Sequence, residues 1–395
     1  MNRFSRHPVF TLVLFVFFVV MLMDGVLSVL YVRAKGCSLA ENDRKKSLAL
    51  NEAREAAERT YRVSSPIYHH GLAPYASRPK VFSITGQFYP LYTNSLGFKD
   101  RGVRQVPLRT NHRRILFIGD SFTEGFGLPY EKTFVGQIGN ALEKRGVEVL
   151  NAAVISYSPV IYWRKIKYLK ESLGLQFDEA VVFVDISDIQ DEALFYHLDK
   201  NGNVADIQTA PKPKKPDSPD AWARFQSFTA EHSLLGYAVL NICGTIRNLD
   251  PENWPYIITE RSCWTYDKKL YRRWGRWGMG KAAHYMDALY GLLERDHIRM
   301  IVAVYPWPDQ IIHGDLNSIQ ETFWRGWCKR RGIPFIDYFP DFIRKEPAWM
   351  RKMTVRKYYV DRDVHWNENG HKLAADKFLS FYDRLAEEGN KQIFN

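Results

Sequence analysis

The amino-acid sequence predicts an α/β fold with a parallel β-sheet covered by helices on both faces. Hydrophobic residues make up 46% of the chain, which is enough for a sizeable core and argues against disorder. From residue 114 onward, short continuous apolar runs alternate with segments long enough for helices. Such runs are typical of strands buried on both faces, as in parallel sheets. The predicted strands are Ile115–Ile118, Val147–Leu150, Ala180–Val184, Met300–Val304 and Phe335–Ile336, and two of the helices between them are Thr133–Lys144 and Ile161–Leu173.

The apolar segment Val9–Val32 predicts a single membrane-spanning helix. It exceeds the roughly 20 mainly apolar residues that a span requires. Two arginines before it favour a cytoplasmic N-terminus, although Arg33 and Lys35 after it weaken this bias. A cleavable signal peptide is the alternative, but its apolar region would be about 7 to 15 residues long and would end in small residues. We therefore expect an uncleaved anchor, with the chain beyond residue 36 extracytoplasmic or periplasmic. Asp24 within the span either marks a functional partner or lies near an interface, and the second interpretation is favoured.

The chain is predicted to have three parts. Residues 1–36 form the cytoplasmic N-terminus and the anchor, residues 37–93 a stalk and a loop-rich lead-in, and residues 94–395 the α/β domain. The stalk helix is expected over Ser38–Val63, where residues of high helix propensity dominate. Five prolines make residues 64–113 loop-like.

A long insertion, at about residues 197–280, separates the third predicted strand from the fourth. It begins with the proline-rich stretch Pro211–Pro219, continues as one predicted helix over Ala221–Ile246, and then contains the aromatic and basic stretch Tyr271–Trp277. Because the sheet pattern resumes after it, the insertion is expected to elaborate the same domain.

Charge and cysteine content narrow the classes of function. The net charge of +11 comes from basic residues spread along the whole chain without a nucleic-acid-binding motif, which favours a solvated basic surface. None of the four cysteines forms a CxxC pair or has a histidine at zinc-ligand spacing, so no metal is expected. Cys243 and Cys263 could form a disulfide outside the cytoplasm, or could be separate buried thiols. No organic cofactor is expected.

The segment Gly119–Gly127, with the sequence GDSFTEGFG, contains a candidate nucleophile, Ser121. It follows a predicted buried strand and precedes a helix, so Ser121 would lie at the carboxyl edge of the sheet, where open α/β folds bind ligands. The flanking glycines allow close approach of the backbone to a substrate, and the amide of Ser121 can face a developing oxyanion. A simple turn or helix cap is the alternative for this tripeptide.

The second element, Asp361–Ala375, supplies a candidate base. A serine hydroxyl must lose its proton to attack an ester, and a neutral histidine, here His365, is the usual acceptor. Asp363, two residues earlier, can fix the tautomer of that histidine from the same loop. Asp361 is the fallback carboxylate. His371 is the alternative base, although it is expected to pack at the start of the last helix.

Together these two elements resemble the SGNH (GDSL-type) hydrolase superfamily over roughly residues 94–385. The resemblance implies a three-layer α/β/α, flavodoxin-like parallel sheet, to which this chain adds an N-terminal transmembrane helix and a helical insertion. It also implies Ser121 as the nucleophile and His365 as the base. Much of the family has its carboxylate three residues before the histidine, where this chain has Arg362, so the choice of Asp363 rests on the tautomer argument alone. The stretch Asp363–Asn367, with the sequence DVHWN, resembles the membrane-anchored branch that acts on O-acetyl groups of exopolysaccharides.

Two positions depart from the pattern of that family. In its second block the family has a glycine whose amide helps to form the oxyanion hole, and Ser156 takes that place here. In its third block the family has an asparagine, and Ser187 replaces it in the segment Asp185–Asp188. The resemblance therefore implies an oxyanion hole made by the amides of Ser121 and Ser156 and the hydroxyl of Ser187. Loss of one such donor typically lowers the rate by about a hundredfold to a thousandfold.

Other side chains near the predicted strand ends are candidates for contact with a substrate. Acids after the third strand could instead cap a helix, and the prolines after the fourth strand could form only a rigid turn. The candidate lining residues are Asp120, Tyr157, Asp188, Tyr305, Trp307 and Trp366.

The combined expectation is a serine esterase that acts on O-acyl or O-acetyl esters through an acyl-enzyme on Ser121, with an envelope glycan as one candidate substrate. The first alternative is an O-acetyltransferase that uses the same triad, because both reactions share the acyl-enzyme and differ in the acceptor. The second alternative is a non-catalytic protein that binds a polysaccharide or another partner and has a degenerate oxyanion hole.

Overall fold

A computed structural model describes residues 8–84, 86–207, 220–249, 259–343 and 346–393. The chain divides into two compact units. The first contains residues 8–56 and 220–249 of the described chain, and the second contains the remaining described residues.

The described part of the first unit consists of four helices. They are α1 (Pro8–Lys35), α2 (Leu39–Glu58), α7 (Ala221–His232) and α8 (Leu234–Leu249). By length and composition alone, the helix that begins at Pro8 is apolar enough to cross a membrane. The single helix predicted over Ala221–Ile246 is wrong, because Ser233 is extended (φ −137°, ψ 120°) and divides it in two. The Ser233 hydroxyl accepts from the amide of Gly236, as serine does when it caps a new helix.

A five-stranded parallel sheet forms the centre of the second unit. Its strands are β6 (Arg113–Ile118), β7 (Val147–Asn151), β8 (Glu179–Val184), β11 (Arg299–Val304) and β12 (Phe335–Asp337). They lie side by side in the order β12, β11, β8, β6, β7. This order is that of a flavodoxin-like sheet, with the topological switch between β6 and β8. The predicted fold class is therefore confirmed, and each of the five predicted strands is present.

Helices cover both faces of this sheet. The helix α11 (Arg276–Arg295) packs against α5 (Pro159–Lys167), and Trp327 of α13 (Ile319–Lys329) donates to Asp287 of α11. The helices α4 (Phe134–Glu143) and α16 (Glu368–Ile393) form a second packed pair. The strands between the two layers are almost fully buried. The remaining helices of this unit are α3 (Ser121–Glu124), α6 (Asp188–Leu194), α9 (Glu260–Cys263), α10 (Lys268–Leu270), α12 (Pro308–His313), α14 (Phe339–Phe342) and α15 (Ala348–Tyr358).

The prediction that residues 64–113 are loop-like is wrong over much of its length. This region contains short antiparallel strands, and two more form a hairpin after α6. Prolines are tolerated at β-bulges, and Pro79 of β3 and Pro90 of β4 both lie where the register between these two strands shifts. The additional strands are β1 (Arg62–Ser65), β2 (His69–Leu72), β3 (Ser77–Phe82), β4 (Phe88–Thr93), β5 (Lys99–Asp100), β9 (Tyr196–Leu198) and β10 (Val204–Asp206).

The four cysteines are free thiols in the structure. Cys243 and Cys263 are therefore separate thiols, but the expectation that they are buried is wrong for Cys243, which is exposed.

Candidate active site

Ser121 is the first residue of α3, directly after the end of β6. Asp120 caps this helix, because its carboxylate accepts from the amide of Phe122 at 3.0 Å. The turn that precedes the helix is tight: a Cβ on Gly119 would lie 2.3 Å from the Thr123 hydroxyl and 3.0 Å from the Phe183 carbonyl oxygen. Only glycine fits there. The strand-to-helix turn therefore presents Ser121 at the carboxyl edge of the sheet.

The loop between α15 and α16 brings His365 to this serine. Tyr359 and Trp366 pair as an isolated antiparallel bridge at its base, and the amide of Val360 donates to the carbonyl of His365 at 2.9 Å. His365 Nε2 lies 2.8 Å from Ser121 Oγ. The distance and the pairing are those of a nucleophile and its general base.

Asp363 holds the other side of the imidazole. Its Oδ1 is hydrogen-bonded to His365 Nδ1 and also accepts from the backbone amide of His365 at 2.9 Å. Burial raises the pKa of Asp363, but the hydrogen bond and the charge of His365 outweigh burial and leave that pKa below its ordinary value. The carboxylate therefore stays ionised and can stabilise an imidazolium. Asp361, the fallback, is exposed and is not the hydrogen-bond partner of His365 in the structure.

Aromatic side chains fix the plane of the imidazole. The ring of His365 lies 5.0 Å from that of Phe122 and 5.5 Å from that of Phe126, measured between centroids. Both phenylalanines belong to the segment around Ser121, so the nucleophile and the packing of its base come from one stretch of sequence.

His371 occupies a different position. It is buried on α16, stacks on Phe134, and its Nδ1 accepts from the amide of Phe134 at 3.2 Å. Burial lowers the pKa of His371 to about 3, so this ring is neutral. The structure therefore places it where the sequence suggested, as a packing residue at the start of the last helix.

Two of the three predicted oxyanion donors, Ser156 and Ser187, follow the two strands that flank β6. Ser156 lies in the loop after β7 and has a φ of +62°, a conformation that favours glycine. This backbone geometry explains why a glycine suits the position that Ser156 takes, as in the second block of the SGNH superfamily. Ser187 follows β8, and its amide donates to Asp185 Oδ1 at 2.7 Å. That amide is therefore occupied, whereas the Ser187 hydroxyl has no hydrogen-bond partner among the described residues.

A buried ion pair that the sequence analysis missed connects α3 to the loop of Ser156. Arg62 on β1 donates two hydrogen bonds to Glu124, at 2.9 and 3.1 Å. Glu124 is fully buried and also accepts from the amide of Ile155 at 2.8 Å. Burial raises the pKa of Glu124, but the charge and hydrogen bonds of Arg62 outweigh burial and hold that pKa below its ordinary value. The only sequence signal was the position of Glu124 three residues after Ser121.

Three buried carboxylates lie close to Ser121. Asp120, Asp185 and Asp188 each have an oxygen within 4.8 Å of the others, a spacing that could hold a cation. Burial and the neighbouring charge of Asp185 raise the pKa values of both Asp120 and Asp188 well above the ordinary value. Hydroxyl and indole donors already occupy one oxygen of each: Tyr305 donates to Asp120, Tyr162 to Asp188 and Trp307 to Asp185. The cluster is therefore a set of buried carboxylates held by hydroxyl and indole donors next to Ser121.

The candidate lining residues are buried around Ser121, which is itself only 7% exposed, and their contact with a substrate stays a prediction. Tyr157, Asp188, Tyr305 and Trp366 are fully buried. Tyr157, for example, donates to the carbonyl of His70, so it supports the loop of Ser156 from below. Asp120 and Trp307 are nearly as buried and take part in the carboxylate network. The aromatic residues near the strand ends therefore belong to the buried core, which is the more common role of such residues.

Comparison of the sequence with protein-family models finds no match, and comparison with curated proteins finds none either. Comparison with solved structures finds a putative lipolytic protein of the G-D-S-L family from Desulfitobacterium hafniense, at 13% identity, a TM-score of 0.35, and coverage of 68% of this chain and 98% of the other. An esterase from Pseudoalteromonas has 9% identity, a TM-score of 0.34, and coverage of 70% and 99%. An acetylxylan esterase from Geobacillus stearothermophilus has 12% identity, a TM-score of 0.34, and coverage of 68% and 93%. One fold can host unrelated activities, so the geometry of the site, and not the fold, indicates the function.

Proposed function

We propose that this protein is a serine esterase that removes a small O-acyl group, with Ser121 as nucleophile, His365 as base and Asp363 as the supporting carboxylate. The observation that carries the proposal is the 2.8 Å contact between Ser121 Oγ and His365 Nε2, with Asp363 on the opposite nitrogen. Three groups from two distant segments of the chain meet in the order that nucleophilic acyl transfer requires.

The proposed reaction proceeds in two steps. In the first, Ser121 Oγ attacks the ester carbonyl while His365 Nε2 accepts the hydroxyl proton. His365 then gives that proton to the departing alcohol oxygen, which leaves an acyl ester on Ser121. In the second step, His365 takes a proton from water as the water attacks this ester, and returns it to Ser121 when the carboxylic acid leaves.

The proposed oxyanion hole has three donors. The amides of Ser121 and Ser156 and the hydroxyl of Ser187 would point at the oxygen that gains negative charge in each tetrahedral intermediate. Support comes from their positions after three adjacent strands, β6, β7 and β8. The hydroxyl of Ser187, which has no hydrogen-bond partner among the described residues, would take the place of the asparagine side chain that the SGNH superfamily has at this position.

A small acyl group fits the site best. Ser121 is only 7% exposed, so a long acyl chain would have to displace packed residues to reach it. An O-acetyl ester satisfies this constraint, and the resemblance of the DVHWN stretch supports an acetylated envelope glycan as its carrier. We further propose that α1 anchors the protein in a membrane, with the catalytic unit extracytoplasmic.

A fluorophosphonate probe and p-nitrophenyl acetate test the activity on the full chain in detergent. We expect the probe to label Ser121, and we expect Ser121→Ala and His365→Ala to abolish both labelling and turnover. Ser380→Ala, at an exposed serine of α16, is the matched control and should behave as wild type. Absence of labelling in folded protein, with a control esterase labelled in parallel, would favour a non-catalytic binding protein. Transfer of the acetyl group from p-nitrophenyl acetate to a hydroxyl of an added glycan would instead indicate a transferase.

A further inference from the structure

The helix α1 has two buried residues within the described part of the first unit, and both are polar. Asp24 and Ser28 lie one turn apart on the same face, while the apolar side chains around them, such as Val26 and Leu27, are exposed. A polar pair in an apolar helix requires partners, because an unpaired polar group in a membrane is costly.

The partners are backbone donors at the start of α8. The carboxylate of Asp24 accepts from the amide of Leu235 at 2.8 Å, and the hydroxyl of Ser28 accepts from the amide of Leu234 at 2.9 Å. The first amides of a helix have no acceptor within the helix, and a negative charge at that end is favourable. The two side chains of α1 therefore cap the N-terminus of α8.

The turn between α7 and α8 has its backbone donors satisfied. Besides the two capped amides, the amide of Gly236 donates to the Ser233 hydroxyl and the amide of Tyr237 to the Ser233 carbonyl. Non-helical backbone can enter a membrane only if such groups are paired. A loop that remains in water has no such requirement, since water completes its hydrogen bonds.

Both helices expose apolar stripes. On α7 the aromatic side chains recur every three residues, and on α8 the aliphatic side chains recur every three or four, which places each set on one face. Apolar helices of 10 to 14 residues are typical of re-entrant or interfacial segments, and the apolar part of α8, Leu234–Ile246, falls in this class. The exposed side chains are Trp222, Phe225 and Phe228 on α7 and Leu235, Val239, Ile242 and Ile246 on α8.

We propose that α7 and α8 form a second membrane-contacting element, a helical hairpin whose apolar stripes insert into the leaflet where α1 ends. The inference rests on the anchor proposed above. Asp24 precedes Arg33 by nine residues, or about 14 Å of helix, so the turn of the hairpin meets α1 inside its apolar length.

A lipid bilayer is the occupant that fits these stripes. Both helices of the hairpin contact α1, and α1 keeps apolar side chains exposed past the point of contact, at Val29, Leu30 and Val32. The polar side chains of the hairpin face the polar helix α2 instead, since Tyr237 donates to Asp43 and Glu231 lies 3.9 Å from Arg44. One side of the hairpin is therefore suited to headgroups and water, and the other to acyl chains.

Photocrosslinking tests this placement. The full chain is reconstituted into vesicles of phosphatidylcholine and phosphatidylglycerol that contain a phospholipid with a diazirine on its acyl chain, and crosslinked peptides are mapped by mass spectrometry. We expect adducts on α1 and on peptides that span 222–228 and 235–246. Peptides of α11, in the second unit, provide the negative control. Adducts on α1 alone overturn the hairpin inference and leave the anchor intact, whereas adducts on neither segment overturn both.

Charge substitutions on the two faces sharpen the test. Phe225→Glu and Ile242→Glu place a carboxylate on the stripes and should lower adduct yield on their own helix by on the order of tenfold. Ser227→Glu and Asn241→Glu, on the opposite faces of the same helices, are the matched controls and should leave it unchanged. Equal yields from both pairs would contradict the proposed orientation.

The role of Asp24 has its own readout. Asp24→Leu removes the acceptor for the amide of Leu235, so exchange of that amide with solvent deuterium should become about tenfold faster. Asp24→Asn keeps a carbonyl acceptor and should restore most of the protection. If both variants exchange at the wild-type rate, Asp24 does not hold the hairpin and the inference fails.

Discussion

Replacement of Glu124 by glutamine should destabilise the protein and slow turnover. The side chain is fully buried, accepts two hydrogen bonds from Arg62 and accepts a third from the amide of Ile155. Removing one partner of a buried ion pair costs about 3–5 kcal/mol, because the remaining charge is left without compensation. The Arg62 side chain keeps 15% exposure and lies 3.5 Å from Glu58, so we expect the lower end, about 3 kcal/mol.

The double replacement Arg62→Met with Glu124→Leu separates this charge effect from packing. It removes both charges and leaves the amide of Ile155 without its acceptor. The free energy of unfolding should therefore fall by about 1 kcal/mol, far less than the sum of the decreases in the two single variants. Turnover should remain low in the single and the double variant, since both release the loop that carries Ser156.

Urea unfolding of the full chain in detergent and p-nitrophenyl acetate turnover are the two assays. Glu131→Gln is the matched control, because this glutamate is exposed seven residues later and should change the free energy of unfolding by less than about 0.5 kcal/mol. If Glu124→Gln also stays within that range and keeps wild-type turnover, the ion pair does not position the oxyanion loop.

Two further predictions concern the oxyanion site and the response to pH. Ser187→Ala removes the proposed hydroxyl donor and should lower kcat by about a hundredfold, while KM for p-nitrophenyl acetate changes little. An unchanged kcat would exclude Ser187 from the oxyanion hole. Burial raises the pKa of Glu192 to about 7 from its ordinary 4.5, so the folded state keeps a proton that the unfolded chain releases. Stability from this group is therefore present below pH 4.5 and is lost as pH rises through 7, and Glu192→Gln should flatten this part of the curve of unfolding free energy against pH.

The sheet could be predicted from the sequence because its strands are continuous apolar runs. Such runs can be recognised without knowing which strands pair with each other. Ser121 and His365 were accessible because each lies in a short motif at a strand or helix boundary. From the sequence, Asp363 was favoured over Asp361 only because it can fix the tautomer of His365 from the same loop. The structure pairs His365 with Asp363.

The features that sequence reasoning missed depend on distant parts of the chain. Arg62 and Glu124 carry no local pattern that predicts their pairing. The antiparallel strands around Pro79 and Pro90 lacked a clear alternation, because strands of four to six residues with internal prolines resemble loops. The break at Ser233 was hidden because the segments on both of its sides form helices, Ala221–His232 and Leu234–Leu249. The aromatic residues near strand ends are buried by packing that no local pattern reports.

Trapping the acyl-enzyme is the most direct test of the proposed triad. The full chain is mixed with p-nitrophenyl acetate, quenched in acid within one turnover, digested and analysed by mass spectrometry. We predict an acetyl group on the peptide that contains Ser121, absent from Ser121→Ala and reduced by several orders of magnitude in His365→Ala. Acetylation at another residue, or equal acetylation in the His365→Ala protein, would contradict nucleophilic catalysis by Ser121.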